Sequence, residues 1–185
     1  MKWLSLALVL LAVPAFAAPK EDADAKNVLA LDTKWTLEDG STISLSSLKG
    51  RWTVLTFVYT SCAGTCPLTT KKLKRLDAAL EKAGKVRDIV VVSLDPAHDT
   101  PDAVKAWRER YGLLEAKRWK VLVGAESQLR TLTMLLEFKY TRNADSGAIL
   151  HDNTVFLVGP DGTVRAQMSS LDQPMDEFVS AVPAS

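Results

Sequence analysis

The chain has 185 residues, of which 47% are hydrophobic and 24% charged, and this composition is typical of one globular domain with a sizeable core. Its 23 basic and 22 acidic residues give a formal net charge of +1, which excludes the basic excess that a general nucleic-acid-binding protein needs. The only cysteines are Cys62 and Cys66.

The N-terminus has the features of a secretory signal peptide at residues 1–17. Lys2 supplies the positive charge, residues 4–13 are almost entirely apolar, and residues 15–17 form a small-x-small cleavage site. The apolar stretch is shorter than the ~20 residues of a membrane helix, so an uncleaved membrane anchor is the less favoured alternative. Cleavage would release the protein into an oxidising compartment, where paired cysteines can form a disulfide. We expect a flexible segment at residues 18–34 and a folded domain at residues 35–185.

The first part of this domain is predicted to contain a hairpin, a buried strand and a helix. Residues 35–37 and 42–45 flank an Asp-Gly turn, which predicts the hairpin. Residues 52–59 are rich in β-branched and aromatic side chains, as in a buried strand. Pro67 suits the first turn of a helix, and the apolar stripe of this helix consists of Leu73, Leu76, Leu80 and Ala83. Its basic residues are interpreted as a solvent-exposed face, with partner docking as the alternative; they are Lys71, Lys72, Lys74 and Arg75.

The second part continues the alternation of strands and helices. Residues 89–94 are almost continuously apolar and predict a central parallel strand, and residues 120–124 predict another. Three helices are predicted, at residues 101–111, 127–136 and 175–182. Residues 154–158 and 163–167 flank a Gly-Pro-Asp-Gly turn, so this hairpin should add antiparallel edge strands. The order predicts an α/β fold of the thioredoxin-like class, with a central, mostly parallel sheet flanked by helices.

Cys62 and Cys66 lie between the strand at 52–59 and the helix that opens at Pro67. Ligands of open α/β sheets bind at this carboxyl end of a strand. A helix N-terminus stabilises thiolates, so we expect a lowered pKa for both thiols. Gly64 permits a tight turn that would let the two sulfurs converge. The spacing allows soft-metal binding, thiol–disulfide exchange or a disulfide, and does not separate these outcomes.

The two histidines differ in their surroundings. His151 precedes the closing hairpin and can face the cysteine loop, where it would complete a Cys–Cys–His set for Cu(I) that also accepts Cu(II). A loop histidine bonded to the backbone is the alternative. His98 lies in a segment that resembles a helix start, with Asp99 or Thr100 as N-cap, and Asp95 suggests an electrostatic role near the site. Zinc is a weaker candidate, because a structural zinc site usually has four protein ligands and this chain offers two cysteines and two histidines. Haem attachment is excluded, because the motif Cys-x-x-Cys-His does not occur.

Three segments together resemble the Sco/SenC family of copper proteins. They are Cys-x-x-x-Cys-Pro within residues 59–67, Asp-Pro-x-x-Asp-Thr-Pro within residues 92–101, and His151 ahead of Phe-Leu-Val-Gly-Pro-Asp-Gly. The resemblance covers residues 35 to 180. It implies a thioredoxin-like domain outside the cytosol that serves assembly of cytochrome c oxidase. It also implies that Cys62, Cys66 and His151 bind copper, as Cu(I) or Cu(II).

The resemblance implies partners and a location as well. The implied client is subunit II of the oxidase, whose binuclear copper site receives the ion or reducing equivalents, and another periplasmic copper chaperone would be the donor. The mature protein is expected in the periplasm, with no membrane span. Ala63 stands where many members have proline after the first cysteine, so the loop could differ from that of the family. Many members also keep a membrane tether, whereas this protein is expected to be released by cleavage, so its client could differ as well.

Three alternatives to a copper chaperone remain open. The first is a thiol–disulfide oxidoreductase in which Cys62 attacks and Cys66 resolves the mixed disulfide. The second is a peroxidase, which is disfavoured because no proline precedes Cys62 closely. The third is an inert structural disulfide, which is disfavoured because a domain of this size does not need one to fold.

Overall fold

The structure is a computed structural model that describes residues 26–62, 64–85, 87–170 and 172–184. The signal peptide predicted at residues 1–17, residues 18–25 and Ala63 lie outside the described residues. Within the described ranges, no helix combines the length and the apolar character that crossing a bilayer requires.

The strands and helices alternate as the sequence predicts, with one additional hairpin. The strands are β1 (Lys34–Thr36), β2 (Thr42–Ser44), β3 (Thr53–Val58), β4 (Asp88–Ser93), β5 (Trp119–Leu122), β6 (Tyr140–Arg142), β7 (Ile149–His151), β8 (Val155–Val158) and β9 (Val164–Met168). The helices are α1 (Cys66–Lys82), α2 (Pro101–Arg110), α3 (Glu126–Leu135) and α4 (Asp176–Ala181). Single 3-10 turns lie at Val28–Ala30 and Leu45–Leu48.

The central sheet has five strands in the order β5-β4-β3-β8-β9. Strands β3, β4 and β5 are parallel, whereas β8 and β9 form an antiparallel hairpin beside β3. All six residues of the central strand β3 are buried, which agrees with its β-branched and aromatic sequence. The arrangement confirms the predicted α/β class with a mostly parallel sheet and antiparallel edge strands.

Helix α1 packs on this sheet through Leu73, Leu76 and Leu80, which are buried as predicted. Ala83, the fourth residue of the predicted stripe, is exposed because the helix ends at Lys82. Its basic face is not simply solvated. The Nζ atom of Lys72 donates to the carbonyl oxygens of Ser170 and Gln173 at 3.1 and 2.7 Å. The Nζ atom of Lys74 donates to the Tyr111 carbonyl at 2.6 Å, and Lys71 and Arg75 are exposed. Part of the basic face therefore ties α1 to neighbouring loops.

The packed part of the chain begins earlier than the predicted boundary at residue 35. Val28 is fully buried, and its N–H donates to the Gly162 carbonyl in the β8–β9 turn at 2.9 Å. Leu29 and Leu31 pack partly buried against the same core. These apolar residues lie within a segment that is polar on average, so its composition concealed a short run that packs on the domain.

The topology brings three loops to one edge of the sheet. Strands β3 and β4 are parallel, so the loops that follow Val58 and Ser93 leave from the same edge. Strand β8 is antiparallel to β3, with Phe156 opposite Leu55, so the chain enters β8 from that edge as well. Residues just before β8 therefore lie close to residues just after β3.

Candidate metal centre

The two cysteines lie where β3 gives way to α1. The chain turns after β3, with the Cys62 N–H donating to the Tyr59 carbonyl at 3.3 Å. Cys66 is the first residue of α1 and is buried, whereas Cys62 is half-buried. Both are free thiols.

His151 is the last residue of β7, in a hairpin that the sequence reasoning missed. Strands β6 and β7 form a separate two-stranded sheet in which Tyr140 pairs with His151. The Nε2 atom of His151 lies 3.2 Å from the Sγ atom of Cys66. The donor atoms of Cys62, Cys66 and His151 all lie within 4.8 Å of one another. The structure thus brings together the three residues that the sequence selected.

A backbone contact orients the imidazole of His151. Its Nδ1 atom lies 2.6 Å from the carbonyl oxygen of Asp152. Because a carbonyl oxygen only accepts hydrogen bonds, Nδ1 carries the hydrogen and Nε2 keeps its lone pair, facing Cys66. Such a contact from the second ring nitrogen is the usual support of a metal-ligating histidine. From the sequence, a backbone hydrogen bond of His151 is an alternative to metal binding. In the structure the bond is present, and it orients the ring for metal binding.

The three donor atoms fit one metal ion in both distance and chemistry. Ligand bonds of about 2.0–2.3 Å place two donors of one ion at most about 4.6 Å apart. The largest separation, within 4.8 Å, therefore needs a shift of only tenths of an ångström. Two sulfurs and one imidazole nitrogen suit a soft ion such as Cu(I), and the nitrogen also suits Cu(II).

The environment shifts the pKa values of the two thiols in opposite directions. Burial opposes ionisation of Cys62, but hydrogen bonds from the thiol and the backbone N–H of Cys66 outweigh it, and the pKa of Cys62 is lowered. Burial raises the pKa of Cys66, and the neighbouring Cys62 raises it further. The expectation of a lowered pKa for both thiols is therefore wrong for Cys66, because burial exceeds the effect of the helix N-terminus.

The pKa of His151 is lowered, chiefly because the ring is buried. A lowered value keeps the imidazole neutral near pH 7, and the neutral form is the one that binds metals.

Aromatic side chains border the site, which is open on one side. The rings of Tyr59 and Phe138 each lie 6.1 Å from the ring of His151. Burial is the main cause that raises the pKa of Tyr59 to about 12. The open side is a cleft of about 500 Å³ lined by Cys62 and by Leu150, whose side chain is 68% exposed. A ligand from another molecule therefore has access to Cys62.

A buried carboxylate anchors the start of the cysteine loop. Asp99 accepts hydrogen bonds from the N–H of Thr60 at 3.1 Å, from Thr60 Oγ1 at 2.6 Å and from Ser93 Oγ at 2.5 Å. The N-cap of α2 is Thr100, whose Oγ1 accepts from the Ala103 N–H at 3.3 Å. Thr100 is therefore the N-cap of α2, and Asp99, the other residue considered from the sequence, anchors the cysteine loop instead.

Asp95 anchors the hairpin that carries His151. Its Oδ1 atom accepts from Arg142 of β6 at 2.8 Å and from Nδ1 of His98 at 2.9 Å. The ligand cluster found in the described part of the chain includes neither His98 nor Asp95. Arg142 is a residue that sequence reasoning missed, and an arginine in a short polar strand gives no local signal of its partner.

Comparison with known proteins agrees with this site. The family described as SCO1/SenC matches residues 23–183. The SCO1 protein homolog of Bacillus subtilis is 30% identical over 149 residues, which cover 78% of this chain and 76% of that protein.

Solved structures include similar folds. The structure of BsSco, described as a member of the Sco family of cytochrome c oxidase assembly proteins, is 26% identical with a TM-score of 0.74, over 86% of this chain and 94% of that one. The copper-bound structure of Arabidopsis thaliana ScoI has a TM-score of 0.70 over 81% of this chain and 95% of that one, and at 21% identity it supports the fold alone. Because the family match spans nearly all of the described domain, the chain belongs to the SCO1/SenC family.

Proposed function

We propose that this protein binds one copper ion through Cys62, Cys66 and His151 and delivers it to a client protein. The observation that carries the proposal is the convergence of two sulfur atoms and one imidazole nitrogen within 4.8 Å. The two thiolates provide the soft ligands that Cu(I) prefers, and the neutral imidazole adds the nitrogen that Cu(II) favours. One site can therefore hold copper in both oxidation states.

The geometry also suits release of the ion. Copper passes between proteins by ligand exchange, so a client ligand has to reach the ion while the original ligands still hold it. Cys66 is buried, but Cys62 lines the open cleft beside Leu150. We expect the client thiol to approach on the Cys62 side, so that Cys62 is replaced first and Cys66 last.

The proposed client is the binuclear copper site in subunit II of cytochrome c oxidase. Membership of the SCO1/SenC family supports this, as does the similarity to BsSco, which is described as belonging to a family of oxidase assembly proteins. The proposed compartment is the periplasm, reached with the signal peptide at residues 1–17, and the proposed donor is another copper chaperone there.

A transfer experiment tests this function. Equal amounts of the Cu(I)-loaded and the Cu(II)-loaded protein are mixed anaerobically with the copper-free, reduced copper-binding domain of subunit II, and the absorption of the binuclear site, which holds one ion of each kind, is followed. We expect the site to form with the native protein and with His98→Ala, which alters the other histidine of the chain. His151→Ala should fail to deliver Cu(II), because it lacks the nitrogen ligand that this ion favours. Failure of the native protein to transfer, or equal transfer by both histidine variants, would contradict the proposal.

A second candidate function is reduction of a client disulfide, and the opposite pKa shifts of the two thiols favour it. The Cys62 thiolate would attack one sulfur of the client disulfide and displace the other as a thiolate. Cys66 would then lose its proton and attack Cys62 Sγ. This releases the second client thiolate and leaves a Cys62–Cys66 disulfide, so two electrons pass to the client.

The two functions make different demands on His151. Reduction of a client disulfide in the absence of copper should need both cysteines and be unaffected by His151→Ala. Cys66→Ser should trap the mixed disulfide at Cys62, which mass spectrometry detects. If the copper-free protein does not reduce the client and no mixed disulfide accumulates, this second function is rejected and copper delivery stands alone.

A further inference from the structure

The ligand set of the metal centre is divided between two parts of the fold. Cys62 belongs to the loop between the central strand β3 and helix α1, and Cys66 is the first residue of α1. His151 belongs to the hairpin of β6 and β7, which pair with each other as a separate two-stranded sheet. The position of the imidazole relative to the sulfurs therefore depends on how this hairpin is attached to the domain.

Close to His151, the hairpin is attached through backbone contacts. The N–H of Ile149 donates to the Tyr59 hydroxyl at 3.3 Å, and that hydroxyl lies 3.4 Å from the Ile149 carbonyl. Asp152 and Lys139 bond across the base, with the Asp152 N–H donating to the Lys139 carbonyl at 2.9 Å. The Asp152–Lys139 contact closes the base of the hairpin, whereas the Tyr59 hydroxyl holds Ile149 at the end next to the turn.

An ion pair is the second attachment of the turn end. Arg142 ends β6 and pairs with Ile149, next to the turn. Its guanidinium donates to Oδ1 of Asp95 at 2.8 Å and to the Gly147 carbonyl of the turn at 3.3 Å. The Asp95 side chain is only 6% exposed, and the backbone N–H of Asp95 donates to Ser93 Oγ at 3.0 Å. The guanidinium thus joins the hairpin turn to a rigid point at the end of β4.

We propose that Arg142 is a positioning residue that selects histidine-dependent copper coordination. Held by Asp95, it keeps the hairpin at the angle at which His151 Nε2 faces the two sulfurs. Without this ion pair the turn end is held by the Tyr59 contacts alone, so the imidazole is less tightly positioned. The cysteines keep their positions because the Asp99–Thr60 contacts are untouched. Binding that needs the nitrogen, which is the Cu(II) state, should weaken, and two-thiolate Cu(I) binding should persist.

This inference rests on the proposed copper ligation and identifies a residue that biases the oxidation state held at that site. Groups that orient a metal ligand typically affect metal affinity by roughly 10–100-fold when they are removed. We therefore expect Arg142→Gln to weaken Cu(II) binding by about tenfold or more, and to change Cu(I) affinity by no more than about twofold. Arg142→Lys, which keeps the charge and one donor, should restore part of the loss.

The experiment compares Arg142→Gln and Arg142→Lys with Arg165→Gln. Arg165 is a matched control, because its side chain is 42% exposed beside 39% for Arg142 and it also pairs with an aspartate, Asp161, at 2.5 Å. Its hairpin, β8–β9, carries no proposed ligand. Cu(II) binding is followed by electron paramagnetic resonance, Cu(I) affinity by anaerobic competition with a chelator, and folding by thermal unfolding.

The expected result is a Cu(II) spectrum for Arg142→Gln that moves towards that of His151→Ala, with native behaviour of Arg165→Gln. Equal Cu(II) binding by Arg142→Gln and Arg165→Gln would overturn the inference, as would an equal loss of Cu(I) and Cu(II) binding in Arg142→Gln. If His151→Ala itself leaves the Cu(II) spectrum unchanged, the proposed ligand set fails and this inference fails with it. A native-like Arg142→Gln beside an altered His151→Ala rejects the positioning role alone.

Discussion

Replacing Asp99 with alanine should loosen the whole metal centre from a distance. Three donors converge on this buried carboxylate: the N–H and Oγ1 of Thr60, and Oγ of Ser93. Thr60 lies two residues before Cys62, so the same contacts fix the start of the cysteine loop. We therefore expect Asp99→Ala to lower both the stability of the domain and the affinity for Cu(I).

The magnitude follows from counting these bonds. Hydrogen bonds to a charged group are worth about 1.5–3 kcal/mol each, and a buried donor left without a partner costs about 1–3 kcal/mol. Part of this loss is recovered, because burial raises the pKa of Asp99 and ionising the carboxyl in the fold is itself costly. We expect a net loss of about 3 kcal/mol in the free energy of unfolding, or roughly 6–12 °C in Tm for a domain of this size.

The assay is urea and thermal unfolding of the reduced, metal-free protein, with Asp161→Ala as the control. Asp161 also accepts from the N–H and Oγ1 of one threonine, Thr163, at 3.1 and 2.8 Å, but it lies at the surface in the β8–β9 turn. Its loss should cost less than about 1 kcal/mol. A cost for Asp99→Ala no greater than for Asp161→Ala, or native Cu(I) affinity in Asp99→Ala, would refute this reasoning.

Two further predictions concern the thiols and the core. In the reduced, metal-free protein, iodoacetamide should modify Cys62 before Cys66, because the pKa of Cys62 is lowered and that of the buried Cys66 is raised. The rate at Cys62 should rise at a lower pH than the rate of a free cysteine. Peptide mapping measures both rates, and equal rates would contradict the prediction. Gly124→Ala should destabilise the domain by about 1–3 kcal/mol, since overpacking has that cost. The added Cβ would lie 2.6 Å from two ring carbons of Trp35, whereas Gly64→Ala, with no atom within 4 Å, is the control. Unfolding midpoints that are equal for the two glycine variants would show that the Trp35 contact is not tight.

The sequence was sufficient for the elements with a strong local pattern. Strand β3 is rich in β-branched and aromatic residues, Pro67 marks the start of α1, and the turn residues of the β8–β9 hairpin are distinctive. These elements, and the cysteine loop between β3 and α1, were therefore predictable. Chain topology then placed His151 at the same edge of the sheet as the cysteine loop, because β8, which follows His151, is antiparallel to β3 and begins where β3 ends.

What could not be predicted depends on contacts between distant residues. The β6–β7 hairpin has strands of only three residues, which are too short for a period of two to stand out. The contacts of Asp95 with Arg142 and of Asp99 with Thr60 join different loops at the sheet edge, and nothing in either local sequence indicates them. The raised pKa of Cys66 likewise required its depth of burial, since the helix position alone predicts the opposite direction.

The most direct test of the account is an anaerobic copper titration of the reduced protein beside Cys62→Ser, Cys66→Ser, His151→Ala and His98→Ala. The account predicts one copper ion per chain, loss of tight Cu(I) binding in either cysteine variant, and an altered Cu(II) spectrum in His151→Ala but not in His98→Ala. A Cu(II) spectrum and stoichiometry unchanged by His151→Ala, or tight Cu(I) binding that survives the loss of a cysteine, would contradict it.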